Sequence, residues 1–224
     1  MHDAFNMQKI FDFFNYVFWF FLLNIFFMIL NIPFILFFLF VGISNIFTYF
    51  PLFLVTLIPT GAAFTTLLFC MGKIVRDKDL SIVKDFIRGF KINFKQSTIL
   101  WCCELVLIFI LHFNIRFFST IKYNLLLTCI FSGLLIFMLL ATPYIYILLS
   151  RFSMKNLDLI KASLILTFTR PILTICNVLI AAITLIFFEI TPGTTVLFIS
   201  SIFTFLLAFS NKALLKELEI GYSK

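Results

Sequence analysis

Sixty consecutive residues, from Phe13 to Gly72, contain no Asp, Glu, Lys or Arg. A soluble fold of this size would have to bury almost all of that run, which its surface-to-volume ratio does not allow. A bilayer needs only about 20 apolar residues per helix, so the run is long enough for two membrane spans. The piece from Gly42 to Pro51 is polar and contains both Gly and Pro, and we expect the chain to turn there.

The composition of the whole chain agrees with an integral membrane protein. Of its 224 residues, 62 % are hydrophobic and only 12 % are charged. The net charge of +7 would suggest nucleic acid as a partner if the protein were soluble. In a membrane protein the same excess orients the helices, because cytoplasmic loops are enriched in Lys and Arg. We therefore expect the lipid bilayer, and no nucleic acid, as a partner.

The hydrophobic runs predict an all-α fold: a polytopic membrane helical bundle of six transmembrane helices, forming a single membrane domain over residues 1–224. The predicted spans lie near residues 15–40, 51–74, 97–115, 123–150, 171–189 and 194–211. Two amphipathic cytoplasmic connections are predicted, at residues 75–96 and 151–170. With both termini inside, all of the 17 Lys and Arg residues except Arg116 and Lys122 face the cytoplasm. The positive-inside bias therefore predicts the N-in, C-in orientation.

The first connection contains the densest positive charge of the chain, in the segment KDFIRGFKINFKQ that begins at Lys84. On a helix its apolar side chains form one stripe: Val83, Phe86, Ile87, Phe90 and Phe94. The cations fall largely on the other faces of the same helix. We expect this segment to lie in the headgroup region, with its aromatic rings toward the lipid tails.

The second connection repeats part of that pattern. The segments Asp85–Gly89 and Asp158–Ala162 share an acid, two apolar residues, a cation and a small residue. Because so few positions match, both a parallel internal repeat and chance stay open as explanations of the shared pattern. The candidate cytoplasmic docking or lipid-headgroup contacts are Lys84, Arg88, Lys91, Lys95 and Lys161.

Polar side chains inside the predicted spans are candidates for an intramembrane site. Glu104 is a carboxylate well inside span 3, and an ionisable group at such depth is a functional candidate. Asn24 and Asn31 are seven residues apart, hence on nearly one face of span 1, and Asn177 lies on span 5. Hydrogen bonding between helices is the alternative for all four. For His112, near the outer end of span 3, the alternatives are interfacial packing and a metal or proton-relay role.

No pattern in the sequence indicates catalysis or metal binding. The cysteines lie in apolar runs without a CxxC pair, so neither a zinc site nor a disulfide framework is predicted: Cys70, Cys102, Cys103, Cys129 and Cys176. Nucleotide-binding, protease and hydrolase motifs do not occur. We expect a non-enzymatic protein with no catalytic residues, metal or cofactor.

Two segments resemble the YesL-like family of bacterial integral membrane proteins: GAAFTTLLFCMGKIV (Gly61–Val75) and KDFIRGFKINFKQS (Lys84–Ser97). The segment Arg151–Pro171 also fits the second cytoplasmic connection of that family. Where the family has a proline after the glycine, this chain has Ala62. We expect Pro59 to supply the helix break instead, beside Gly61.

The resemblance implies a bundle of this topology in the bacterial cytoplasmic membrane but no chemistry, because the family is largely uncharacterised. Its members are often encoded near carbohydrate-uptake and polysaccharide-degradation genes. Our leading hypothesis is a multi-pass protein that docks onto a membrane transporter complex and thereby assists or regulates a transport system. The transport process that we expect is carbohydrate uptake. The alternatives are a small-solute carrier or substrate-binding membrane subunit with a polar cavity at mid-membrane, and an intramembrane enzyme.

Overall fold

The computed structural model describes residues 2–120, 125–191 and 196–222, and within these it contains helices and no strand. In chain order the helices are α1 (His2–Leu30), α2 (Ile32–Phe40), α3 (Phe50–Thr56), α4 (Ile58–Asp77), α5 (Ile82–Thr120), α6 (Leu125–Arg151), α7 (Asn156–Thr169), α8 (Pro171–Ile190), α9 (Ile199–Ser210) and α10 (Lys212–Tyr222). A short 3-10 helix, Ile43–Asn45, lies between α2 and α3. The predicted all-α helical bundle is confirmed.

Several described helices are long and apolar enough to cross a membrane. The segments that qualify alone are Phe50–Asp77, Ile82–Thr120, Leu125–Leu149 and Pro171–Ile190. Two bent pairs, α1 with α2 and α9 with α10, reach the same length when each pair is taken as one span. The chain is thus a multi-pass membrane protein, and six crossings in the N-in, C-in orientation stay a prediction. Lys122 and the predicted span starts near residues 123 and 194 lie outside the described residues.

The first predicted span, residues 15–40, is not one continuous helix. α1 ends at Leu30, and α2 leaves it at an angle of 70°. Pro33, in the first turn of α2, explains the break, because its ring clashes with a carbonyl of the preceding turn and it donates no backbone hydrogen bond. The buried residue Asn31 forms the corner. The predicted span 15–40 is therefore a bent pair of helices, and its crossing of the membrane as one span stays a prediction.

A second break lies at Leu57, between α3 and α4. Pro59 is in the first turn of α4, so a carbonyl before it loses its usual helical partner. At the break, the Leu57 carbonyl accepts hydrogen bonds from the N–H of Thr60 at 3.0 Å and from Nε1 of Trp101 on α5 at 2.7 Å. A side chain at Gly61 would overlap that of Trp101. The glycine therefore lets α5 approach the break closely.

The predicted connection 75–96 and the predicted span 97–115 are largely one helix, which corrects the expectation of a separate interfacial helix. α5 runs unbroken for 39 residues. At 1.5 Å per residue this is about 58 Å, roughly twice the thickness of the hydrocarbon layer. α4 ends at Asp77, and the following residue, Lys78, has a left-handed φ of 54° that closes the helix before α5 begins. The continuity of α5 follows from its packing along α4, which outweighs the low helix propensity of Gly89.

The inward face of α5 also differs from the predicted apolar stripe. The buried residues of its first half are mostly small or polar: Asp85, Phe86, Gly89, Asn93, Ser97 and Leu100. Three members of the stripe are exposed instead, namely Val83, Ile87 and Phe94. Small side chains let helix backbones approach closely, whereas large apolar side chains can contact lipid without cost. Most of the apolar stripe therefore faces outward.

The second connection is broken where the first is continuous. α6 ends at Arg151, α7 begins at Asn156, and a break at Arg170 precedes Pro171, the first residue of α8. Proline restricts the residue before it to extended conformations, which explains this break. At the end of the chain, α10 leaves α9 with a bend of 50° at Asn211.

α4 lies at the centre of the bundle and packs against α1, α5, α6 and α9. Its Leu67, Cys70 and Met71 are fully buried, as are Tyr144 and Tyr146 in the second half of α6. α4, α6 and α9 end at the same side of the molecule as α5, α7 and α10 begin. We call this side the basic end.

Candidate functional site at the basic end of the bundle

Asp85 ties α5 to α4 inside the basic end. Its Oδ2 lies 2.7 Å from Nζ of Lys73, and its side chain is only 8 % exposed. One turn later, a Cβ added at Gly89 would lie 2.6 Å from Cδ1 of Phe69 on α4. The ion pair and the missing side chain together let the two helices run side by side.

The cations predicted as docking or headgroup contacts are all exposed: Lys84, Arg88, Lys91, Lys95 and Lys161. Within the described part of the chain, none of them forms an ion pair with an acidic side chain. Their positive charge is therefore available to an anionic partner or to acidic headgroups. Which of these they contact stays a prediction.

Gln96 joins the two predicted connections. Its Nε2 donates to the carbonyl of Met154 at 2.7 Å and to Oδ1 of Asn156 at 2.8 Å. Asn156 is the first residue of α7, so these bonds hold the start of α7 beside α5. Gln96 is also the last residue of the Asn-Phe-Lys-Gln run within the segment that carries the family resemblance. The sequence drew attention to this residue, but only the structure supplies its partner.

Two ion pairs hold α10 across the basic end. Arg151, the last residue of α6, pairs with Glu219. Nη2 of Arg170 lies 2.7 Å from both carboxylate oxygens of Glu217. Leu214 anchors the same helix in the core. The second connection is therefore held by Gln96 on α5 and by two acidic residues on α10.

Two of the intramembrane polar candidates hold α1 and its corner against neighbouring helices. Nδ2 of Asn24 donates to the carbonyl of Val196 at 2.7 Å, and its Oδ1 accepts from the N–H of Ser200 at 3.1 Å. These bonds fasten the start of α9 to α1. At the corner, Oδ1 of Asn31 accepts a hydrogen bond from the hydroxyl of Thr60 on α4, at 2.6 Å. Both amides thus act between helices.

The other two intramembrane candidates, Glu104 and Asn177, lie at two further contacts between helices. Glu104 is 6 % exposed, and its Oε2 lies 3.5 Å from the hydroxyl of Thr142 on α6. Its Oε1 is buried without a hydrogen-bond partner among the described residues. Oδ1 of Asn177 on α8 accepts from Nδ2 of Asn211 at 2.9 Å. The four candidates are therefore distributed over separate helix contacts and do not form one polar site.

His112 lies at the end opposite the basic end, among aromatic rings. Its ring centroid is 4.3 Å from that of Phe50 and 5.8 Å from that of Phe47. Arg116 lies over the same Phe47 ring, 5.7 Å from its centroid. In the part of the chain that the structure describes, no group of His, Cys, Asp or Glu side chains could hold a metal ion. The contacts of His112 are those of interfacial packing.

A cavity of about 420 Å³ opens between α4, α6, α9 and α10 at the basic end. Its charged lining residues are Arg76, Arg151, Lys212, Lys216 and Glu219. The sequence does not indicate this cavity, because these helices are distant from one another along the chain. One local signal existed: the two lysines are four residues apart and so share one face of a helix.

The family model described as "Protein of unknown function, DUF624" matches residues 20–115. This part of the chain extends from α1 into α5 and includes the Lys73–Asp85 ion pair and Gln96. The YesL-like proteins are members of this family, so the resemblance seen in the sequence is confirmed. No curated protein and no solved structure matches the chain.

Proposed function

We propose, from the premise that this chain carries a DUF624 domain of unknown function over residues 20–115, that it is a non-enzymatic accessory or regulatory subunit of a transport system. It acts in the bacterial cytoplasmic membrane, with the basic end inside. The transporter complex that it assists presents an acidic cytoplasmic surface. Carbohydrate uptake is the transport process that the resemblance to the YesL-like family favours.

One observation carries this proposal: five exposed cations of the two connections form no ion pair with an acidic side chain in the described residues, although other cations at the same end do, and these five are Lys84, Arg88, Lys91, Lys95 and Lys161. Arg151, Arg170 and Lys73 are each neutralised by a carboxylate. Arg88 and Lys91, by contrast, lie unpaired on a helix that is rigidly packed against α4. A fixed array of unpaired charge supports a docking role, because electrostatic complementarity gives specificity and speeds association.

The alternative of a small-solute carrier receives less support. That hypothesis needs a polar cavity formed jointly by the intramembrane candidates Glu104, Asn24, Asn31 and Asn177. Each of them instead lies at a separate contact between helices. An intramembrane enzyme would need a nucleophile and a base facing each other, and the described neighbours of Glu104 are the hydroxyls of Thr142 and Tyr146, with no second base among them.

The test is recovery of partners from native membranes in a mild detergent. Affinity-tagged wild-type protein is expected to recover membrane subunits of a transport system, identified by mass spectrometry. Reversal of charge by Arg88→Glu together with Lys91→Glu should reduce that recovery roughly tenfold, since like charges across an interface repel. Arg116→Glu is the matched control, because it reverses an exposed charge at the opposite end.

Two results would contradict the proposal. One is the recovery of no transport component by the wild-type protein. The other is equal recovery by the wild type and by the double charge reversal.

A further inference from the structure

The cavity at the basic end combines an apolar floor with a charged rim. Leu68, Ile147 and Ala208 form the floor and are buried. Its volume of about 420 Å³ lies within the range of roughly 300–1,000 Å³ that is usual for ligand pockets. A purely polar ligand would leave this floor uncovered, whereas a ligand with an apolar portion would bury it.

The rim carries an excess of positive charge. Arg76, Lys212 and Lys216 line it, in addition to Arg151, whose guanidinium is paired with Glu219. Arg76 also contacts its neighbour Asp77, but the two lysines form no ion pair with a described acidic residue.

One of these lysines lies at the N-terminal end of a helix. Lys212 lies in the first turn of α10, where the helix dipole disfavours a cation and favours an anion. An anion bound at the rim would therefore interact favourably both with the lysines and with the start of α10.

Gly72 leaves part of the cavity open. It lines the cavity from α4, and a Cβ added there would meet no other atom within 4 Å. A larger residue at this position would extend into the cavity without displacing the helix. Since glycine is the poorest helix former after proline, the substitution also favours the helical state of α4.

We propose that this cavity binds one anionic phospholipid, with its phosphate at Arg76, Lys212 and Lys216 and the start of an acyl chain on the floor. A phosphate attached to an apolar chain matches both halves of the cavity. A soluble phosphate ester matches only the rim. The cavity lies at the end of the bundle that carries most of the positive charge, where acidic headgroups of a cytoplasmic leaflet are concentrated.

The test is native mass spectrometry of the delipidated full-length protein in detergent. Palmitoyl-oleoyl phosphatidylglycerol is the probe, phosphatidylcholine is the zwitterionic control, and glycerol 1-phosphate is the soluble source of the same phosphate chemistry. We expect the wild type to bind one phosphatidylglycerol and to prefer it to both controls. Gly72→Leu should abolish that preference because its side chain fills the cavity.

Further variants distinguish lipid binding in the cavity from lipid binding elsewhere on the surface. Lys212→Gln with Lys216→Gln keeps the space and should weaken phosphatidylglycerol binding roughly tenfold. Arg116→Gln removes an exposed charge at the opposite end of the bundle, away from the cavity, and should leave binding unchanged. Gly133→Leu is the control for Gly72→Leu, since a Cβ at Gly133 also meets nothing within 4 Å.

The proposal is overturned if Gly72→Leu binds phosphatidylglycerol as the wild type does, or if glycerol 1-phosphate binds as tightly as the lipid. Equal binding of phosphatidylcholine would overturn it as well. These outcomes are independent of the docking proposal. A protein that loses the lipid through Gly72→Leu is still expected to recover its transporter partner.

Discussion

Gly61 has no side chain, and this is what lets Trp101 reach the carbonyl of Leu57. That carbonyl lies at the break between α3 and α4 and also accepts from the N–H of Thr60. The indole N–H adds a bond to it from the neighbouring helix, inside a membrane span where hydrogen bonds have no competition from water. The residues predicted as a helix break therefore also form the contact between α4 and α5.

We predict that Gly61→Ala destabilises the protein by about 1–3 kcal/mol, because the added methyl group overlaps the Trp101 side chain. Thermal unfolding in detergent, followed by circular dichroism, would measure the change. Gly133→Ala serves as the control, since its Cβ enters open space and alanine favours helix. Equal melting temperatures for the two variants would contradict this account of Gly61.

At the scale of elements, the two connections share a sequence pattern but not a structure. Asp85 is buried against Lys73, whereas its counterpart Asp158 is exposed. α5 continues without a break, and α7 ends before Pro171. Both connections bury the first apolar residue of the pattern, Phe86 or Leu159, and both expose its cation.

Gln96 is the link between these elements, and we predict that Gln96→Glu loosens the second connection. A glutamate cannot donate the two hydrogen bonds that the amide makes to Met154 and Asn156. Each is worth about 0.5–1.5 kcal/mol, so amide hydrogen exchange in residues 152–159 should become roughly fivefold faster or more. Hydrogen-exchange mass spectrometry would measure it.

Lys95→Gln is the matched control for that experiment, because the exposed Lys95 precedes Gln96 and makes no described bond to α7. Unchanged exchange in Gln96→Glu, or an equal increase in both variants, would show that the two bonds do not hold the connection.

At the scale of the whole molecule, the distribution of charge predicts the orientation. The basic end collects the ends of α4, α6 and α9 with the starts of α5, α7 and α10, and it contains most of the described Lys and Arg residues. Arg116 lies at the opposite end, over the ring of Phe47. Translocating the basic end would oppose the positive-inside bias.

We therefore predict that a cysteine at Ser119 reacts with a membrane-impermeant maleimide on intact cells, and that a cysteine at Lys161 reacts only after permeabilisation. Both residues are exposed, so neither is protected by packing. The substitutions are made one at a time in a variant without the native cysteines. If Lys161→Cys is labelled on intact cells and Ser119→Cys is protected, the protein has the opposite orientation and the prediction is wrong.

The sequence alone determined the helical membrane class, the grouping of charge and the resemblance to the YesL-like family. These follow from composition and local order: a bilayer demands about 20 apolar residues per helix and satisfied backbone bonds, whatever the neighbours are. It also pointed to Gln96 through the resemblance and to Pro59 through the chemistry of proline. Each of these conclusions needs only residues close together in the chain.

Only the tertiary structure decided which helix faces pack against one another, where the long helices run and where a cavity is left between them. The apolar stripe of α5 faces largely outward because small and polar residues let it approach α4, and lipid accepts the apolar side chains equally well. The cavity at the basic end exists because α4, α6 and α10 meet there with glycine at position 72. In a bilayer hydrophobicity does not distinguish the inside of a bundle from its outside, so these features depend on contacts between distant residues.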